Sequence, residues 1–100
     1  MRIDLPGIEA FLSIANWRSF KRPAAHLNLP QAALSHWLKK LEEDLGVPLL
    51  TRTTRQVTLT PAGLELLPVA QRTVQEISST LAGLLLHREY AVFGKKKPHV

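Results

Sequence analysis

The sequence predicts a mainly α fold, a winged helix-turn-helix followed by one long helix. Three observations carry this. Two short amphipathic segments are joined by only three residues, 28–30, the spacing of a helix-turn-helix. Two β-prone runs, residues 49–52 and 57–59, flank a basic turn. After Thr60, apolar residues step by three and four for nearly three heptads. A chain of 100 residues suits one small domain with a modest core, and 45% hydrophobic with 21% charged residues marks a folded chain.

The first helix is expected from Leu5, Ile8, Leu12 and Ala15, with Phe11 beside them. Asp4 is its expected N-cap, and Pro6 is tolerated in a first turn whose N–H groups lack intrahelical partners. Residues 16–18 break the pattern. Ser19 caps the second helix, whose short stripe is Phe20, Ala24 and Leu27, with Pro23 in the first turn. The third helix runs from about residue 31 to 45, with Leu34, Leu38, Leu41 and Leu45 on its buried face. Gly46 and Pro48 end it. Residues 49–52 and 57–59 then make a small β-wing.

Thr60 caps the last helix and Pro61 takes its first position, where a missing N–H costs nothing. Leu67, Ala70, Val74, Ile77, Leu81 and Leu84 form the seam, and Pro68 is a possible kink. A helix of roughly 28 residues spans about 40 Å. That is too long for so small a domain to cover, so the seam predicts a second copy. Residues 90–93 read as a strand fragment, and Gly94 with Lys95, Lys96 and Lys97 as a linker or tail.

Thirteen Lys and Arg against eight Asp and Glu leave a net charge of +5, which favours a polyanionic partner; simple solubility charge would look the same. Without cysteine there are no disulfides or thiolate zinc sites. The N-terminus lacks the apolar core of a signal peptide, and no apolar run approaches the ~18 residues of a membrane span. The expectation is a cytoplasmic protein without a membrane partner. Catalysis finds no constellation. Ser35 and His36 are neighbours in a helix and point apart. His26, His36, His87 and His99 lack metal-ligand spacing, and there is no glycine-rich phosphate loop. No cofactor, metal or catalytic residue is expected. Glu42, Glu43 and Asp44 read as a solvated face.

The third helix has the most chemical content. A major groove admits one α-helix, and side chains near its N-terminus reach base edges. Opposite the leucines lie Ala32, Ser35, His36 and Lys39, with Gln31 at the edge of that face. The Gln31 amide suits adenine. His36 and Lys39 can donate to guanine or phosphate, Ser35 to either, and Ala32 leaves room for a thymine methyl. An ordinary amphipathic helix with a solvated polar face has the same leucine stripe. Arg55 at the wing tip is expected in the minor groove. Arg52, Lys21 and Arg22, with Ser19 and Pro30, are candidate phosphate or base contacts, which set affinity and register.

Taken in order, Ser19 to Leu27, Gln31 to His36, Leu38 to Leu50 and Leu59 to Gly63 resemble the N-terminal DNA-binding domain of LysR-type transcriptional regulators. The resemblance runs unbroken from about Leu5 to His87. It implies a winged helix-turn-helix whose linker helices pair two subunits antiparallel on an interrupted dyad in double-stranded promoter DNA. It implies base contacts at Gln31, Ala32, Ser35 and His36, and a minor-groove arginine at Arg55. It also implies a small-molecule effector and tetramers for a full-length protein, both through an effector-binding domain that is not in this sequence. The expected division is a DNA-binding domain over 1–60, a linker and dimerisation helix over 61–88, and a tail or the start of the effector domain over 89–100. Several positions depart from the family pattern. Pro30 stands at a usual Ser or Thr cap, Pro23 at a usual alanine, Arg18 at a frequent glycine, Ala32 at a frequent proline and His36 at a common arginine. The competing reading is a helical dimerisation module that never touches DNA; an enzyme fragment is the weakest reading.

Overall fold

The computed structural model describes residues 4–53 and 56–93, with side chains as far as 88. The elements follow in the order α1 (Leu5–Trp17), α2 (Lys21–Leu27), α3 (Gln31–Leu45), β1 (Leu50–Arg52), β2 (Val57–Leu59) and α4 (Pro61–Phe93). The strands pair antiparallel with Leu50 opposite Leu59, Thr51 opposite Thr58 and Arg52 opposite Val57. This is the mainly α, winged helix-turn-helix architecture with a long final helix. Residues 90–93 belong to α4 and are not a strand. No Gly or Pro interrupts residues 84–93, so an established helix propagates through them one hydrogen bond at a time.

The helix ends show which local signals act. At α2 the Ser19 hydroxyl accepts from the Lys21 and Arg22 N–H groups at 3.1 and 3.2 Å. At α3, Pro30 has extended backbone angles but offers no side-chain cap, as the departure from Ser or Thr implied. Asp4 precedes α1 without a side-chain cap bond; its carboxylate pairs instead with Lys40 Nζ at 3.4 Å. Arg18 ends α1 in the left-handed region (φ 54°), where a glycine costs less. Asn28 ends α2 in the same region, and its N–H donates to the Ala24 and Ala25 carbonyls. Helix α4 is continuous through Pro68. The ring removes one donor, but Leu64 and Pro68 are both exposed, so water can serve the freed carbonyl.

The core joins Phe11 and Ile14 of α1, Phe20 and Ala24 around α2, Leu34, Leu38 and Leu41 of α3, Leu49 and Leu50, Val57 and Ala70. The buried face of α1 is turned from the expected one. Gly7, Ala10, Phe11, Ile14 and Ala15 are buried, whereas Leu5 is exposed and Leu12 half-buried. The reason is close packing. A Cβ on Gly7 would lie 3.2 Å from Leu41 Cβ and 3.3 Å from the Trp37 carbonyl oxygen, so α1 presents small residues where it crosses α3. Leu27, expected on the buried stripe of α2, is exposed.

One joint fixes the wing and α4 on α3. The Glu42 carboxylate accepts from the Leu49 and Leu50 N–H groups at 2.7 and 3.3 Å. Thr60 N–H donates to the Leu49 carbonyl at 3.0 Å. The Thr60 hydroxyl donates to the Pro48 carbonyl at 2.7 Å and accepts from Gly63 N–H at 3.1 Å. Thr60 is therefore both the cap of α4 and a clasp on the loop after α3. Glu42 is not part of a solvated acidic face, as its neighbours suggested; it terminates two backbone donors of buried residues. Glu42→Ala should lower stability by about 2–3 kcal/mol, since a charged acceptor is lost and two donors are stranded. Urea unfolding would show this as a lower midpoint. A variant as stable as the parent would mean that water replaces the carboxylate.

Candidate nucleic-acid interface

The three core leucines of α3 hold the helix by one side. Its N-terminal polar side is left facing out: Gln31, Ala32, His36 and Lys39 are exposed and Ser35 is half-buried. These residues share one face because steps of one and three keep them within about 140° of arc. Pro30 is exposed just before them. The face is therefore determined by Leu34, Leu38 and Leu41 and by the turn 28–30, which sets where α3 begins.

Ser19, Lys21 and Arg22 lie together at the start of α2, with Lys21 and Arg22 exposed. Arg52 on β1 reaches the same place, because its guanidinium carbon lies 4.1 Å from the centre of the Phe20 ring. In the wing, Thr53 N–H donates to the Gln56 carbonyl at 2.9 Å, and Gln56 N–H to the Thr53 hydroxyl at 3.0 Å. Arg55 lies outside the described residues, as do the lysines of the tail.

Charge is segregated along the chain. No Asp or Glu occurs over residues 10–41 or 45–64, which contain Arg18, Lys21, Arg22, Lys39, Lys40, Arg52 and Arg55. Among the described residues the ion pair is Lys40 with Asp4. The cations at the start of α2 and on β1 thus have no carboxylate partner among the described residues, which suits a polyanion. No group of His, Asp or Glu among the described residues is arranged to hold a metal ion. No described helix is long and apolar enough to cross a membrane.

The seam on α4 divides in two. Ala70 is 2% exposed and sits in the domain's own core, with Leu66 and Leu67 packed against it. Val74 is half-buried over α1, and Gln71 Nε2 donates to Asn16 Oδ1 at 3.3 Å. Ile77, Leu81 and Leu84 continue the same stripe past the domain, at 41%, 52% and 53% exposure. Ala70 therefore has no surface left for a second copy, contrary to the expectation that the whole seam is intersubunit. The first half of the stripe is consumed at home because α4 starts on the core side of the wing.

Sequence reasoning missed Glu42, Gly63 and Trp17. Glu42 is the first of three acids and nothing local separates it from the others. Gly63 has a signal, its place three residues after the Thr60 cap. Trp17 lies two residues before the Ser19 cap, where an exposed indole is unusual enough to be noticed.

Comparison with known proteins agrees with this geometry. Residues 5–64 match the bacterial regulatory helix-turn-helix proteins of the lysR family. The chain is 46% identical over 81 residues to the uncharacterized HTH-type transcriptional regulator YbhD of Escherichia coli strain K12, covering 81% of this chain and 26% of that protein. It spans about a quarter of the length of such relatives. The oxidized form of Corynebacterium glutamicum OxyR superposes with a TM-score of 0.81 at 39% identity, over 84% of this chain and 27% of that one. A BenM_DBD/catB site 1 DNA complex superposes with a TM-score of 0.77 at 26% identity, over 97% of this chain and 99% of that one. With the helix-turn-helix, wing and long helix all in place, the chain belongs to the LysR family of bacterial regulatory helix-turn-helix proteins.

Proposed function

We propose that this chain is the DNA-binding part of a transcriptional regulator that grips an interrupted dyad as a homodimer. The observation that carries the reading is the outward polar face of α3, fixed by its buried leucines beside a basic wing. Gln31, Ala32, Ser35 and His36 read base edges in the major groove. Lys39, Lys21, Arg22, Arg52, Ser19 and Pro30 lie along the backbone, and Arg55 enters the minor groove. Residues 1–60 form the DNA-binding domain and 61–88 the linker helix, although the first turns of that helix complete the domain's core. Ile77, Leu81 and Leu84, with Val74 at the boundary, pair with the same residues of a second copy. The role is binding and not catalysis, in the cytoplasm where bacterial DNA lies. An effector site and tetramer contacts belong to the remainder of a full-length protein, as the relatives' greater length supports.

Fluorescence anisotropy against promoter fragments and unrelated duplexes tests this. Preference for a dyad-containing fragment is the expected result; equal binding to every sequence would sink the regulator reading, and no binding at low salt would sink it in favour of a dimerisation module. Arg55→Ala should weaken binding by about 1–3 kcal/mol, mainly at A·T-rich sites. An equal loss on all sequences would make Arg55 a phosphate contact.

A further inference from the structure

Two arginines near the start of α2 lie on aromatic rings instead of carboxylates. The Arg22 guanidinium carbon is 5.4 Å from the centre of the Trp17 ring, and that of Arg52 is 4.1 Å from the centre of Phe20. Neither has an acidic partner among the described residues. Both distances fall within the range in which a cation is drawn to a ring face. Such a contact leaves the positive charge intact. It also fixes the plane of the guanidinium while its edge N–H groups stay free to fork onto oxygens. Phe20 is buried and has a core role of its own. Trp17 is 40% exposed, so part of its indole stays outside the core. It also meets the His26 ring at 5.6 Å between centres, one helical turn after Arg22.

We propose that Trp17 is a positioning residue that holds Arg22 ready for a backbone phosphate of duplex DNA. Phe20 serves Arg52 in the same way on the other side of Ser19. The inference rests on the DNA-binding reading above and adds an energetic role for two rings that need not touch DNA. A guanidinium already laid in place loses less side-chain freedom on binding than a free one. Lysine could not replace either arginine, since an ammonium presents no plane to set.

The test is a double-mutant cycle on the full chain, read by anisotropy with a promoter fragment and a short mixed-sequence duplex over a range of salt. Arg22→Ala should weaken binding to both and reduce the slope of log K against log salt by about 0.9, the value for one phosphate. Trp17→Leu should weaken binding to both by roughly two- to five-fold, the range of an exposed cation–π contact, with the slope unchanged. In the Arg22→Ala background, Trp17→Leu should have no further effect; with Arg22 present, Trp17→Phe should retain most of the affinity that Trp17→Leu loses. An equal loss in both backgrounds, or a phenylalanine no better than leucine, overturns the proposal and makes Trp17 a structural residue. A parent chain that binds DNA while Trp17→Leu binds equally well overturns this inference alone. A parent that binds no duplex at low salt overturns the DNA reading and this inference with it.

Discussion

Gly63→Ala is expected to lower stability by about 3 kcal/mol or more. A Cβ at this position would run into the Leu49 carbonyl oxygen, with Leu59 Cδ2 at 3.0 Å. The obstacle is backbone, so no rotamer change relieves it. The chain must move Leu49 away from α4, which disturbs the Thr60 N–H bond to that same carbonyl and the Thr60 hydroxyl bond to Pro48. Overpacking costs typically 1–3 kcal/mol, and each weakened hydrogen bond adds about 0.5–1.5 kcal/mol. For a domain of this size, 3 kcal/mol corresponds to a fall in Tm of roughly 12–24 °C. Gly83 provides the control on the same helix. A Cβ there meets nothing within 4 Å, so Gly83→Ala should raise stability by about 0.5–1 kcal/mol. Thermal melts of the pair, followed by circular dichroism, should move in opposite directions. If both move upward, the close approach of α4 to Leu49 is not a constraint on the protein.

Ile77→Asp should leave the domain folded and break the dimer. Ile77 is outside the core, at 41% exposure, so the domain does not depend on it. In a two-fold interface the substitution acts twice, placing a carboxylate from each copy in an apolar strip that offers it no partner. Analytical ultracentrifugation should show the mass falling from twice 11.2 kDa to 11.2 kDa at micromolar concentration. Affinity for a two-half-site fragment should fall by about 100-fold, because the second half-site is no longer held at high effective concentration. Binding to a single half-site should change little, which separates loss of pairing from damage to the reading head. A variant that remains dimeric would place the interface elsewhere on the chain.

The exposed part of the seam was legible from spacing, because Ile77, Leu81 and Leu84 fall on one face of any helix that contains them. The polar face of α3 was legible for the same reason, given its leucines and the short turn before it. The caps at Ser19 and Thr60 were legible because a cap is a local event between a side chain and a backbone N–H two or three residues on. The obstacle at Gly63 was not legible as geometry. It depends on a carbonyl fourteen residues earlier in the chain, and no periodicity reports on such a contact.

By itself, then, the sequence determined the elements as far as residue 88, the caps at Ser19 and Thr60 and the outward polar side of α3, since these depend on neighbours within one or two turns. Tertiary structure decided which residues bind the parts together and what covers each apolar stripe. It turned α1 onto Gly7 and Ala10, because close crossing with α3 outweighs the burial of Leu5 and Leu12. It took Glu42 from the acidic surface to the buried N–H groups of Leu49 and Leu50. It also divided the α4 seam, placing Ala70 in the core and leaving Ile77, Leu81 and Leu84 open. The physical reason is the same in each case. Hydrophobic spacing states that a face must leave water, but only the path of the whole chain decides whether its own domain or a second copy provides the shelter.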